Sequence, residues 1–388
     1  MKVLFVTTRI PHPPWRGDQV RSWNLLRHLA RRHDITVAAV TVGRSSRSAL
    51  QAVAGLGVTV ESIPLWRAGT PVALARGLVS SMPFQVLLHD RRRARSRVAS
   101  LIEQGGFDLV HGQLVRSAPY LPDEGPPVVI DLIDALSANF AKRATFDRIP
   151  VKWVAGMEAR RLDAYEARVL DRADAAVVVS RDDREALGDE SVHVIPNGVD
   201  LDAFPMTPTG RDQEQIVFAG SLGYFPNVDA ATFLVRDVMP HVWEQRPTAR
   251  LHLVGARPSR VVRGLAGDDR VVLTADVPDI APHVAAAAVA VIPMRSGSGM
   301  QNKVIEAMAL GTPVVTTPQV GRAVGATPHE HLLVAREPRN IAAEALALMA
   351  DPAEAAALAQ RAREFVEDRF RWEMAAEAMD GVWHEAAR

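Results

Sequence analysis

Short apolar runs recur along this chain, each followed by a stretch with helical spacing, and that alternation limits the folds open to it. Lys2–Thr7 (KVLFVT) is largely apolar, as a strand buried on both faces is. Val20, Trp23, Leu26, Leu29 and Ala30 then follow at helical spacing, and Ile35–Val40 is the next apolar run. Strand–helix–strand order predicts a parallel sheet. Similar runs stand at Val58–Ile63, Leu109–His111, Val128–Ile133 and Ala175–Val179. From Leu136 to Arg172 the pattern is helical, with Leu162, Tyr165 and Val169 facing inward and Glu158, Arg161, Asp163 and Glu166 outward. After Asn197-Gly198 and a linker to Asp212, a second series begins: Ile216–Ala219, Leu251–Val254, Val271–Leu273, Val289–Ile292 and Val314–Thr316. The last stretch, Pro352–Val382, reads as helix with a break near Phe370–Trp372. Asp351 before Pro352 is a suitable start for it. The α/β class follows, as two successive βα blocks. Open α/β sheets bind ligands at the carboxyl ends of their strands, and ligand sites favour domain interfaces. The expected site is a cleft between the blocks.

The bulk properties remove several alternatives. A length of 388 residues suits two domains at roughly 100–200 residues each. Lys+Arg and Asp+Glu both number 45, which argues against a nucleic-acid binder. The absence of cysteine excludes disulfides, zinc-thiolate sites, iron–sulfur clusters and cysteine nucleophiles, and fits a reducing compartment. The opening apolar run meets Pro and Arg too soon for a signal peptide. No later stretch reaches the ~18 uncharged apolar residues of a membrane span. Ile280–Ile292 reads as a helix running into a buried strand. A cytoplasmic location is the expectation.

The segment from Met294 to Pro313 carries the most chemistry. Arg295 opens RSGSGMQNKVIEAMALGTP directly after the apolar run Val289–Ile292. Ser296-Gly297-Ser298-Gly299 is a loop whose backbone can approach a ligand closely. The helix after it begins near Met300 or Gln301, and its free N–H groups form an anion site. Arg295 and Lys303 add positive charge, an arrangement suited to a diphosphate. Glu306 lies about one turn beyond Asn302 and Lys303 on a similar face, where a carboxylate can accept hydrogen bonds from ribose hydroxyls. Taken alone, the segment reads equally well as a Gly-rich turn before a capped helix.

KVIEAMALGTPVVTT (from Lys303) resembles the signature of the retaining glycosyltransferases with the two-domain GT-B fold. VIPNGVDLDAF (Val194–Phe204) resembles their interdomain segment. IVFAGSL (Ile216–Leu222) resembles the first strand and loop of their nucleotide-binding domain, and VPDI (Val277–Ile280) the loop that reads the base. RGDQVRS and FDLVHG (Phe107–Gly112) match more loosely in the N-terminal half. The resemblance implies two Rossmann-like domains facing each other across a deep cleft. An acceptor-side domain would span 1–190 and a nucleotide-sugar domain 191–370. A helix at 371–388 would cross back to the first domain. It also implies donor contacts from Gly17, Gly220, Ser221, Val277, Pro278, Ser298, Gly299, Met300, Gln301, Asn302 and Glu306.

Three departures mark this chain. In the family's E-x7-E motif Glu306 matches the second acid, but Ser298 stands at the first. The Arg–Lys pair that binds diphosphate in many members is missing: Ser221 follows Gly220, and Pro226-Asn227 stands near the Lys position. Arg295 and Lys303 are the expected replacements. These features resemble the exopolysaccharide-cluster sugar transferases. In the first block, VVIDLIDALS places Ile133 where many members have a His. Asp131, Asp134 and Ser137 are the polar residues nearby, open to contacts with an acceptor or donor sugar, or to cap and turn roles. His111 ends the FDLVH run, as a candidate catalytic residue or a satisfied core residue. Asp18 joins Gly17 on the first βα loop.

The expected reaction is transfer of a sugar from a nucleoside diphosphate sugar, UDP-sugar favoured, to a hydroxyl of a glycan, lipid-linked or small natural-product acceptor. The nucleotide-sugar is a substrate, and no cofactor is expected. The expected loop holds no D-x-D, and no His/Asp cluster has metal spacing, so no catalytic metal is expected. Arg295, Lys303, His111 and Asp134 are the candidate catalytic groups. The resemblance implies retention, by a front-face reaction or a carboxylate nucleophile. An epimerase of the same fold and a non-catalytic nucleotide-sugar-binding partner are the alternatives. A nicotinamide enzyme would need G-x-G-x-x-G where the chain reads TTRIPHPPWRG. The basic run Arg91–Arg97 reads as a solvated helix face or a peripheral contact with anionic lipid.

Overall fold

The computed structural model describes residues 1–66, 77, 80–146, 150–206, 210–296 and 300–388. The chain divides into two compact units. One comprises Met1–Asn197 with Trp372–Arg388, the other Gly198–Arg371.

The first unit is built on seven described strands: β1 (Lys2–Thr7), β2 (Asp34–Val42), β3 (Thr59–Leu65), β4 (Leu109–Gln113), β5 (Val128–Ile133), β6 (Ala175–Val178) and β7 (His193–Val194). Their order is β3-β2-β1-β4-β5-β6-β7, and every pairing is parallel. Alternation along β1 supplies both faces of the sheet. Val3 and Phe5 pack with Leu25, Leu29, Met379 and Trp383 of the helices Gly17–Leu29 and Trp372–Ala386. Leu4 and Val6 face Ala94 and Val98 of the helix Arg92–Gly105.

The second unit repeats the plan with β8 (Asp212–Ala219), β9 (Arg250–Gly255), β10 (Val271–Ala275), β11 (Ala287–Ile292), β12 (Val314–Thr316) and β13 (Leu333–Val334). The order is β10-β9-β8-β11-β12-β13, again all parallel. Strand order reverses between β1 and β4 in the first unit, and between β8 and β11 in the second. Those are the switch points where ligand crevices open in such sheets.

Some boundaries differ from the sequence reading. The helical stretch 136–172 is two helices, Leu136–Phe146 and Val151–Leu170, the second starting directly after Pro150, which has no N–H to continue a helix. β4 runs on to Gln113 rather than stopping at His111. Ile280–Ile292 resolves into the helix Ala281–Ala285 and β11. Asp351 does cap its helix, accepting from the amides of Ala353 and Glu354 at 3.1 Å each. No helix among the described residues is long and apolar enough to cross a membrane.

Candidate functional site

The second unit gathers its polar groups at its switch point. β8 ends at Ala219, and Gly220 follows with φ +151°. A Cβ on Gly220 would lie 3.0 Å from Asn227 Nδ2 and 3.3 Å from Lys303 Cε. A Cβ on Gly255, at the end of β9 with φ +147°, would lie 1.7 Å from the Gly220 carbonyl oxygen. Glycine at both places lets the β8 and β9 loops approach closely. The β10 loop joins them, because the Asp276 amide donates to Gly255 O at 3.0 Å and Asp276 Oδ1 accepts from the Arg257 amide at 2.6 Å. Val277 and Pro278 follow on this loop, Val277 half-buried and Pro278 exposed.

Opposite, the chain leaving β11 is tied down by three side chains. Thr316 Oγ1 donates to Ile292 O at 2.7 Å, and Thr317 Oγ1 and Gln319 Nε2 donate to Met294 O at 2.8 and 2.6 Å. Ser296 is 3% exposed, and its hydroxyl has no hydrogen-bond partner among the described residues. Buried polar groups of this kind normally find one in water or ligand. Ser298 and Gly299 lie outside the described residues. Met300 is buried and Gln301 half-buried, and the helix Asn302–Ala309 begins at Asn302.

Lys303, on the first turn of that helix, donates from Nζ to Asn227 Oδ1 at 2.5 Å, with Met294 Sδ at 3.6 Å and Gln301 Oε1 at 3.5 Å. Asn227 Nδ2 in turn donates to Ser221 O at 2.9 Å. One buried amide therefore joins the β8 loop to the lysine of the β11 loop. Two residues on, Asp229 pairs with Arg295 at 2.6 and 3.2 Å, and the Arg295 guanidinium lies 4.3 Å from the Phe233 ring centroid. Arg295 is thus held on the helix Phe225–Phe233 and already answered by a carboxylate. Lys303 carries the less compensated charge. Asn227 and Asp229 were not legible as tethers, although Pro226-Asn227 marked the place.

Glu306 sits one turn further along. Its carboxylate is half-buried and accepts no hydrogen bond among the described residues. Burial pushes its pKa up to about 7, against the opposing pull of Lys303, and burial pushes Lys303 down to about 8. An amine and a carboxylate three residues apart on one helix thus influence each other's charge here.

In the first unit the expected residues separate. The structure places His111 in the core of the first unit, with Nε2 unpaired among the described residues. It is fully buried, stacked on Phe5 at 4.4 Å, and its Nδ1 accepts from Trp383 Nε1 at 3.1 Å. Burial pushes its pKa down to about 4, so it stays neutral. The strand-end position belongs to Gln113, which accepts from Thr7 Oγ1 at 3.0 Å and donates to Asp18 O at 3.1 Å. Asp131 is likewise structural. It is fully buried and paired with Arg21 Nε at 2.6 Å. Arg21, also fully buried, donates to Ile195 O at 3.0 Å and Asn197 Oδ1 at 2.9 Å. Ser137 is buried and bonded to Glu166, which also accepts from the Leu136 amide at 2.9 Å and is pushed up to about 7 by burial. Asp18 pairs with Arg9, and Gly17 is exposed at the helix start.

Asp134 is different. It follows Ile133, whose φ of +67° is a costly conformation for a β-branched residue. The Asp134 pKa is raised well above the usual carboxylate range, by burial first and then by Asp183 nearby. Both the burial and the neighbouring carboxylate favour its protonated form.

Two family models match the chain. Residues 15–203 match Glycosyltransferase Family 4, and residues 213–351 match Glycosyl transferases group 1. No curated protein matches it in a sequence search. Among solved structures it is similar to Anabaena HepE in complex with UDP, at 15% identity and TM-score 0.71 over 99% of this chain and 100% of that one. Sucrose-phosphate synthase from Thermosynechococcus elongatus is similar at 19% identity and TM-score 0.71, covering 99% and 98%. TarM of S. aureus, in complex with Fondaparinux, alpha-GlcNAc-glycerol and UDP, is similar at 9% and 0.71, covering 98% and 99%. With a family model on each half and this fold throughout, the chain belongs to the GT-B glycosyltransferases.

Proposed function

We propose that the enzyme moves a sugar from a UDP-sugar to a hydroxyl of a glycan, lipid-linked or small-molecule acceptor, with retention and without a metal ion. The observation that carries this reading is the pair Lys303 and Glu306 on one helix beside the second unit's switch point. The half-buried Glu306 carboxylate accepts no hydrogen bond among the described residues, which leaves it open to a donor. Ribose hydroxyls are donors of the right kind. Lys303, the hydroxyl of Ser296 and the N–H groups at the helix start answer a diphosphate. Arg295 adds a partly neutralised charge at the edge. Gly220 and Ser221 leave room for the phosphates, Val277 and Pro278 read the base, and Ser298, Gly299, Met300, Gln301 and Asn302 contact the donor sugar and phosphate. HepE has been solved with UDP and with UDP-glucose, which supports uridine as the base.

Charge develops on the leaving diphosphate as the glycosidic bond breaks. Lys303 and fixed amides stabilise it where it forms, so no metal is required. In a front-face reaction the leaving phosphate oxygen takes the acceptor proton. Asp134 contacts a sugar or acceptor hydroxyl, while Gly17 and Asp18 line the first βα loop. The test is turnover of a panel of UDP-sugars, with water or a simple glycoside as acceptor, followed by NMR of the new anomeric centre, with and without EDTA. Retained configuration, unaffected by EDTA, is expected. An inverted product or loss of activity on chelation overturns the corresponding part.

A further inference from the structure

The loops after β8, β9 and β10 are locked together at one place in the second unit. Two residues there take left-handed backbone without being glycine: Arg257 has φ +52° and Asp276 φ +54°. Aspartate tolerates that region and arginine less so. Such strain persists where neighbours over-determine it, and here they do. The Arg257 amide donates to Asp276 Oδ1 at 2.6 Å, and the Asp276 amide donates to Gly255 O at 3.0 Å. The Leu222 amide donates to Ala256 O at 2.9 Å, and a Cβ on Gly223 would lie 2.5 Å from Arg257 O. Arg257 and Asp276 are both exposed, so their strain serves no packing in the core. It fixes the start of Val277-Pro278. At the other end, Asp279 Oδ1 accepts from the Ala281 amide at 2.9 Å. Two residues are thus clamped by a carboxylate on each side, and the ring of Pro278 fixes its own φ.

We infer that Asp276 is a positioning residue for base preference: through the Arg257 amide it holds Val277-Pro278 in place against the β8 and β9 loops. This role rests on the second unit being the uridine diphosphate site proposed above. Uracil presents an N3–H between two carbonyl oxygens. Cytosine has the same size but presents a bare N3 beside an amino group. Val277 offers a backbone N–H and a C=O, and Pro278 a C=O only. Fixed in space, such groups pair with one edge and meet the other donor to donor or acceptor to acceptor, which is how a site rejects a near-isostere. That choice needs the backbone held to within about 0.5 Å, because hydrogen bonds weaken steeply away from good geometry. The diphosphate is common to all nucleotides, so Lys303 has no part in the choice. The carboxylate of Asp276 acts on the loop and not on the nucleotide.

The test is calorimetric titration of the full chain with UDP and with CDP, read as the ratio of the two dissociation constants. The parent is expected to favour UDP by about tenfold or more. Asp276→Gly adopts the same backbone without strain but deletes the acceptor, and the ratio is expected to fall about fivefold, the worth of one hydrogen bond. Asp276→Asn keeps an acceptor oxygen and is expected to keep the ratio. Arg257→Gly keeps the amide donor and is expected to keep it as well. Both positions are exposed, and melting temperatures check the fold. An unchanged ratio in Asp276→Gly, or equal parent affinity for UDP and CDP, overturns the inference and leaves the Lys303 and Glu306 site standing. A ratio lost in Arg257→Gly also overturns it, and gives the choice of base to the guanidinium. A folded parent that binds neither nucleotide removes the site itself, and the inference with it.

Discussion

Lys303 Nζ and Asn227 Oδ1 lie 2.5 Å apart, so the lysine beside the second unit's switch point is aimed by a neutral amide. A neutral partner orients the amine without cancelling its charge. Lys303→Met removes the charge and is expected to lower turnover on the order of 10²-fold, as loss of one transition-state donor does. Asn227→Ala leaves the charge but frees it, and a smaller loss is expected. Steady-state kinetics separates them. Equal losses would mean that Asn227 does more than position the lysine.

The pKa values of Glu306 and Lys303 set a pH window for nucleotide binding. With ribose held by ionised Glu306, as proposed, affinity is expected to fall as pH drops below about 7. Diphosphate binding needs protonated Lys303, so affinity falls above about 8. A narrow bell with those limbs is expected in UDP titrations of the free enzyme.

The same shift bears on stability. The folded pKa of Glu306 is raised above its ordinary value of 4.5, so between about 4.5 and 7 the native state holds more proton than the unfolded chain. Stability from this group is present below that window and is lost as pH rises through it. Glu306→Gln is therefore expected to melt higher than the parent above pH 7 and to match it more closely in acid. It should also lose the nucleotide-induced shift. Melting curves at several pH values decide this.

Asp131 and Arg21 form a buried pair with both side chains at 0% exposure. Removing one partner strands a charge, and Asp131→Ala is expected to cost roughly 3–5 kcal/mol in denaturant unfolding. Replacing both with apolar residues is expected to cost less. A stable Asp131→Ala that merely loses activity would restore a role in substrate binding.

Gly255→Ala would press a methyl against the Gly220 carbonyl at a φ that alanine rarely adopts. At least about 3 kcal/mol of destabilisation is expected, read by thermal unfolding.

The sheets and the helix after β11 were legible in the sequence, because both depend on local pattern. Val128–Ile133 and Val314–Thr316 match their observed strands residue for residue. Lys303 and Glu306 stand out because spacing along a helix fixes which residues share a face. Partners distant in sequence were hidden. His111 looked like a strand-end residue, yet its partner Trp383 lies 272 positions away, and β4 runs on to Gln113. Asp131 looked like a site carboxylate until the fold brought Arg21 from the first helix. Asn227 stands where a cation was expected, and its service to Lys303 needs two loops to meet.

In the proposed site the second unit binds a uridine diphosphate through Lys303 and Glu306. Calorimetric titration of the full chain with UDP, GDP, ADP and TDP tests it, beside Glu306→Ala and Lys303→Met. Binding of UDP above the others, insensitive to EDTA and lost in both variants, is the expected result. Equal UDP binding by parent and variants, or no nucleotide binding by folded parent protein, would contradict it.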